Sequence, residues 1–321
     1  MQITRRATLA ALAALPLIPR AAQAQDRPIR LLVGFPAGGG TDAIARVLAE
    51  ALQASLGTTV LVENKPGAGG QIAAQALKTA APDGTTFFVS HDHTISILPL
   101  VMKNPGFDPA KDFVPVAGFA TFANALALSG ATPAASLPEY VAWVKKQGGQ
   151  GSVGIPAPAS VPEFLVKLLG EKHGVHLLSV PYRGSAPMIA DMLGNQISAG
   201  VGSVPDLITN HQQKKLRIVA VMGAQRQSVV PEVPTFAELG IAGFEDLPYY
   251  GFFAPAGTPP AALDRFSNAL ASVIAQAGVK ARLTELGLSV GMMSAAQLGA
   301  RERAYSAAWA RIIKAGGFQP Q

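Results

Sequence analysis

The sequence predicts an α/β fold of two doubly wound domains, each a largely parallel sheet with helices on both faces. Three observations predict it. Apolar runs of strand length alternate with helical patterns through most of the 321 residues. Two early runs end in glycine-rich loops that lead straight into helix starts. The chain is also longer than one hydrophobic core of about 250–300 residues usually allows.

In chain order, 29–33 is an apolar run that reads as a buried parallel strand. The loop Gly34-Phe35-Pro36-Ala37-Gly38-Gly39-Gly40-Thr41-Asp42 follows it. Ile44, Val47, Leu48, Ala51, Leu52 and Leu56 then mark one face of a helix. The motif recurs: 58–63 reads as a strand, Pro66-Gly67-Ala68-Gly69-Gly70 as a loop, and 71–78 as a helix. The turn Pro82-Asp83-Gly84 precedes a third strand over 85–89, which completes a βαβαβ half-sheet. A proline-studded passage, 99–115, leads away from it.

A second set begins with a strand over 124–129. Ser136-Leu137-Pro138-Glu139 and Ser160-Val161-Pro162-Glu163 have capping-box spacing and open helices to Lys146 and Lys172. Strands are expected at 152–155, 176–180, 197–201, 216–221 and 249–254, and closing helices near 260–277, 279–286 and 295–315. No single linker divides the chain. The late strand and closing helices are expected to return to the first domain, giving 25–122 plus 250–321 against 123–249. The resulting crossovers are how a hinge is built.

The first residues read as an export signal. Arg5-Arg6 are its basic start, 7–18 its apolar core, and Ala22-Gln23-Ala24 a small-x-small cleavage site, so 1–24 is expected to be removed. Thr4-Arg5-Arg6-Ala7-Thr8-Leu9 also fits a loose twin-arginine pattern. The apolar core is too short to span a bilayer and carries Pro16. Losing the leader's Arg5, Arg6 and Arg20 lowers the formal charge from +6 to +3. The remaining basic residues are scattered, which argues against nucleic-acid binding. The absence of cysteine excludes disulfides, thiolate metal sites and a cysteine-linked lipid anchor.

The paired glycine loops aim backbone N–H groups and helix N-termini at one crevice, an arrangement suited to an anion. The competing reading is two tight turns without a ligand. Nucleotide readings fit poorly: Gly38-Gly39-Gly40-Thr41 lacks a P-loop lysine, and the spacing is not Gly-x-Gly-x-x-Gly. At the end of the third strand, Ser90-His91-Asp92-His93-Thr94 offers two histidines that could hydrogen-bond a ligand or, with Asp92, hold a metal. No further ligand cluster supports a metal, so neither metal nor cofactor is expected. Histidines beside a bound carboxylate gain from protonation, so binding is expected to tighten from about pH 8 to about pH 6. Ser160 is placed to serve as both helix cap and ligand donor. Ser203, in Gly200-Val201-Gly202-Ser203-Val204, follows a strand but lacks the Gly-x-Ser-x-Gly of a hydrolase nucleophile.

Taken together, these residues resemble the Bug proteins, the TctC-like substrate-binding proteins of tripartite tricarboxylate transport systems. The resemblance runs from Arg27-Pro28-Ile29-Arg30-Leu31 through both glycine loops, including Val62-Glu63-Asn64-Lys65-Pro66, and Ala81-Pro82-Asp83-Gly84. It continues in Val180-Pro181-Tyr182-Arg183-Gly184-Ser185-Ala186-Pro187, Pro231-Glu232-Val233-Pro234-Thr235 and Ala254-Pro255-Ala256-Gly257-Thr258-Pro259. It implies a two-lobed, type II-like periplasmic binding protein, monomeric, that captures a small organic acid in its cleft for membrane permease subunits. It implies that the two early loops hold the ligand carboxylate; with the residues read above, the expected ligand-binding set is Phe35, Ala37, Gly39, Gly40, Thr41, Asp42, Gly67, Ala68, Gly69, Gly70, Ser90, His91, His93, Ala159, Ser160, Ser203 and Tyr250. Valine at Gly39 or Gly69 is expected to abolish binding while sparing the fold.

The chain also departs from the family pattern. Where members carry a glycine-, serine- and threonine-rich loop with a histidine, it has Ile155-Pro156-Ala157-Pro158-Ala159-Ser160-Val161-Pro162-Glu163. Where many carry an aspartate after the strand near Val201, it has Gly202-Ser203, and His91-Asp92-His93 replaces small residues. The alternatives kept open are an exported α/β hydrolase or metal-dependent enzyme using the His91–His93 loop, and a ligand-sensing subunit for a membrane kinase.

Overall fold

The computed structural model describes residues 27–315 and 317–320. The expected signal peptide lies outside the described residues. The first part of the chain forms β1 (Ile29–Val33), α1 (Gly40–Leu56), β2 (Val60–Asn64), α2 (Gln71–Lys78) and β3 (Thr86–His91). A π-type turn, His93–Ile97, runs into the short α3 (Leu98–Val101); α4 (Pro109–Asp112) and β4 (Phe113–Phe122) follow. The next part forms β5 (Asn124–Ser129), α5 (Leu137–Lys146), β6 (Gln150–Ile155), α6 (Val161–His173) and β7 (His176–Pro181). It ends with α7 (Ser185–Leu193), β8 (Ala199–Ser203), α8 (Val204–Gln212) and β9 (Leu216–Val221). The last part forms β10 (Tyr249–Pro255), α9 (Pro260–Ile274), α10 (Ala277–Glu285), β11 (Leu288–Met293) and α11 (Ala295–Ala315).

These strands make two sheets, ordered β11-β4-β10-β3-β1-β2 and β7-β6-β8-β5-β9. In the first, β1 pairs parallel with β2 and β3, and β10 enters antiparallel between β3 and β4. In the second, β6 pairs parallel with β7 and β8, and β5 runs antiparallel to β8 and β9. Each sheet carries one lobe. The chain crosses between them at Ala123 and again through residues 222–248. The Ala123 carbonyl accepts from Val204 N and the Asn124 carbonyl from Met222 N, both at 2.8 Å, so the crossings are tied into the second sheet.

Side-chain alternation sorts the first lobe's core onto two faces. Phe87 points toward α1 and α9, where it stacks on Phe266 with ring centroids 3.8 Å apart. Phe88 points the other way, into a core shared with α2, α11 and the second lobe. Each such buried aromatic stabilises by about 1.5–3 kcal/mol through removal of apolar surface from water. Trp309 of α11 lies 5.7 Å from the Phe164 ring of α6 and 6.1 Å from that of Phe244, so the closing helix touches both lobes.

Strands β4 and β11 were not expected from sequence. β4 is buried on both faces and so shows no alternation, and Pro115 reads as a breaker. In the structure Pro115 pairs with Phe253 at a register shift, which absorbs the missing N–H. β11 is a short sheet-edge strand interrupted by Gly291. The strand expected at 197–201 is displaced two residues, to 199–203.

Candidate functional site

A cavity lies between the lobes. It is built from the ends of strands and the amino termini of helices on both sides. The first lobe contributes Phe35, Gly39, Gly40 and Thr41 at the start of α1, His91, Asp92 and His93 after β3, Phe122 of β4, and Tyr250 of β10. The second contributes Asn124, Pro156 and Ala157, Ser160 and Val161 at the start of α6, Ser185 at the start of α7, and Ser203 and Asp206 flanking the start of α8. Four helix amino termini therefore abut one cavity. Their dipoles favour a negative group there.

One negative group is already in place. Asp206, in the first turn of α8, reaches across the cleft and accepts a 2.6 Å bond from Gly40 N of α1 through Oδ1. Its Oδ2 accepts from Ser185 Oγ at 2.7 Å and Ser203 Oγ at 2.6 Å. Sequence reading missed both Asp206 and Ser185. The available signal was Ser203-Val204-Pro205-Asp206, whose spacing places the carboxylate one turn into a helix beside its own cap. Ser203 Oγ thus donates to a carboxylate rather than to an imidazole base.

The aromatic wall is tightly organised. His91 stacks on Phe35 at 5.0 Å and meets Tyr250 and Phe122 edge-on at 5.3 and 5.7 Å. Its Nδ1 lies 3.2 Å from Asp92 Oδ1. Tyr250 OH and Thr41 Oγ1 share a 3.0 Å bond. Burial, and next Asp206, hold the Tyr250 hydroxyl above its ordinary pKa, against the Thr41 bond. It stays a neutral donor.

His93 is buried, and neither ring nitrogen has a partner. Burial, and next His91, push its pKa down to about 4, against the pull of Asp92. It is neutral between pH 6 and 8, so the expected pH-dependent tightening does not reside on His93.

The remaining expected site residues do not line this cavity. Asp42 is buried inside its own loop: it accepts from Gly38 N at 2.9 Å, Arg46 Nε at 2.9 Å and Asn64 Nδ2 at 3.0 Å. Burial raises its pKa, but Arg46, Gly38 and Asn64 outweigh that and hold the carboxyl below its usual range. Ala37 faces solvent. Ser90 is a buried strand residue opposite Gly251 of β10.

The second glycine loop lies one step away. Gly67, Ala68 and Gly69 line a neighbouring recess with Pro158, Tyr182 and Arg183. Gly70 packs beneath it against Thr94, and Gly34 packs against the Gly70 backbone. The Gly69 carbonyl accepts from Thr94 Oγ1 at 2.8 Å. Gly69 has φ +64°, and a Cβ there would fall on His93 Nε2. Substitution at Gly69 therefore strikes the fold as well as the site, contrary to the expectation that the fold is spared. Ala159 sits outside the cavity at φ +49°, its N–H bonded to Glu163. Ser160 occupies the N-cap position, but its hydroxyl donates to the Ala157 carbonyl instead of capping the helix. Among the described residues, no group of three or more His, Cys, Asp or Glu side chains is arranged to hold a metal ion.

Two α/β lobes joined by crossover segments, with a cavity walled by both, define a solute-binding protein. Comparison with known proteins gives the family. The chain belongs to the tripartite tricarboxylate transporter family receptors, whose description matches residues 44–318. A UPF0065 protein of Cupriavidus necator is 33% identical over 300 residues, 92% of this chain and 90% of that protein. The structure of the periplasmic binding protein BugD is 32% identical with a TM-score of 0.87, covering 92% of this chain and 99% of that one. The R. palustris protein Rpa4515, solved with adipate, is 28% identical with a TM-score of 0.87 over 92% and 99%.

Proposed function

We propose that the protein captures a small organic acid between its lobes in the periplasm and delivers it to the membrane subunits of a tripartite tricarboxylate-type permease. The observation that carries this reading is the convergence of four helix amino termini on one interlobe cavity that already holds a carboxylate. An adipate-bound relative of the same fold supports the ligand class, and the family description supports the permease. The protein acts by binding and release, as a monomer, without turnover.

The test is a thermal-shift screen against mono- and dicarboxylates, amino acids and neutral amides. A true ligand present at a hundred times its dissociation constant stabilises by about 2.7 kcal/mol. Stabilisation by no organic acid would overturn the reading. Chemical conversion of the best ligand, followed by mass spectrometry, would favour the enzyme alternative.

A further inference from the structure

We propose that the preferred ligand carries a cationic nitrogen as well as a carboxylate, and that Asp206 is the residue that selects it. The inference rests on the cleft being the solute site, and it narrows the class of acid that fits. Among the described residues lining the cavity there is no lysine or arginine, while Asp92 and Asp206 contribute carboxylates. A dicarboxylate entering this space would meet no basic side chain to neutralise its second charge.

Asp206 is held rigidly. Three donors converge on it from two lobes: Gly40 N on Oδ1, Ser185 Oγ and Ser203 Oγ on Oδ2. A carboxylate has about four lone-pair sites, so one acceptor position stays open. The bond from Gly40 N also fills the α1 end, the position that a ligand carboxylate would otherwise take. A second carboxylate placed there would repel the first, whereas an ammonium beside it would complete an ion pair and a hydrogen bond in one contact.

His93 lines the same cavity with both ring nitrogens unpartnered and, as a neutral imidazole, adds no positive charge to it. Phe35, Phe122 and Tyr250 supply aromatic walls without charge. The ligand's carboxylate is left for the amino terminus of α6, where Ser160 lies. The cavity thus has one end for each sign.

The experiment is calorimetric titration of the purified protein with two matched series: straight-chain dicarboxylates, including adipate, and amino monocarboxylates of the same chain lengths, including 6-aminohexanoate and α-amino acids. The tightest amino acid is expected to bind at least tenfold better than the tightest dicarboxylate. Asp206→Asn, checked for folding by circular dichroism, should remove that preference. The amide keeps an acceptor for Gly40 N but loses the charge. A tighter dicarboxylate, or a preference unchanged in Asp206→Asn, overturns this inference and leaves the binding-protein reading intact. Failure of both series to bind overturns both. If Asp206→Asn does not fold, the wild-type ranking decides alone.

Discussion

Replacing Gly40 with alanine should separate folding from lobe closure. Gly40 is the first residue of α1 and has no positive φ, so the first lobe accepts a side chain there without backbone strain. Helix propensity even favours alanine, by up to about 1 kcal/mol. Across the cleft the situation differs. An added Cβ would lie 2.9 Å from Asp206 Oδ1, 3.1 Å from Pro205 Cβ and 3.2 Å from Asp206 N. All three atoms belong to the other lobe, and one is backbone. Closure then requires the lobes to stand apart and the Gly40–Asp206 bond to break. A hydrogen bond to a charged group is worth about 1.5–3 kcal/mol. At about 1.4 kcal/mol per decade, affinity should fall roughly ten- to a hundredfold. The assay pairs titration of the best acid from the screen with small-angle scattering, with and without that acid, and with thermal unfolding of the free protein. The expected result is weaker binding, incomplete compaction and an unfolding temperature no lower than wild type. Affinity within about threefold of wild type, with full compaction, would refute the reasoning, because the contact would then be absent from the liganded state.

Two further predictions concern His93 and its neighbour. Because the His93 pKa falls from an ordinary 6.5 to about 4 on folding, the unfolded chain binds the extra proton between those values, and stability should decline as pH drops through that window. The contribution is at most about 3 kcal/mol, and urea unfolding should show a shallower acid decline in His93→Gln; parallel profiles would contradict the burial argument. Gly69→Ala should cost about 2–4 kcal/mol, partly from the left-handed backbone and partly from crowding His93. Adding His93→Ala should recover more than about 0.5 kcal/mol of that cost in a double-mutant cycle, and strictly additive costs would rule out the contact.

Much of this organisation was legible in the sequence because it rests on periodicity and turn chemistry. The glycine loop after Val33, the capping box at Ser136 and the alternation through the second lobe all mark local geometry that a window of residues encodes. Ser136 Oγ accepts from Glu139 N, and the Glu139 carboxylate in turn accepts from Ala135 N. β4 was illegible because a strand buried on both faces loses its period. Asp206 was illegible for a different reason. Its partner Gly40 lies 166 residues away, and nothing near Asp206 distinguishes a helix-capping acid from one that reaches into a cleft. Asp42 and the glycines of the second loop show the converse. Their residue types suggested a ligand; the structure ties Asp42 into its own loop and places Gly67 and Gly69 on a recess beside the cavity.

The place of β10 in the first sheet has a consequence for how the chain assembles. It lies between β3 and β4, so strands made early flank a gap until residues 249–255 arrive. The second sheet draws all its strands from the uninterrupted span 124–221. Pairings between distant segments form slowly because loop closure must come first, and unpaired strand edges invite association with other chains. The inserted lobe is therefore the natural first unit to fold. Until Tyr249 to Pro255 slide into place, the outer lobe presents the two open edges of β3 and β4 to its surroundings.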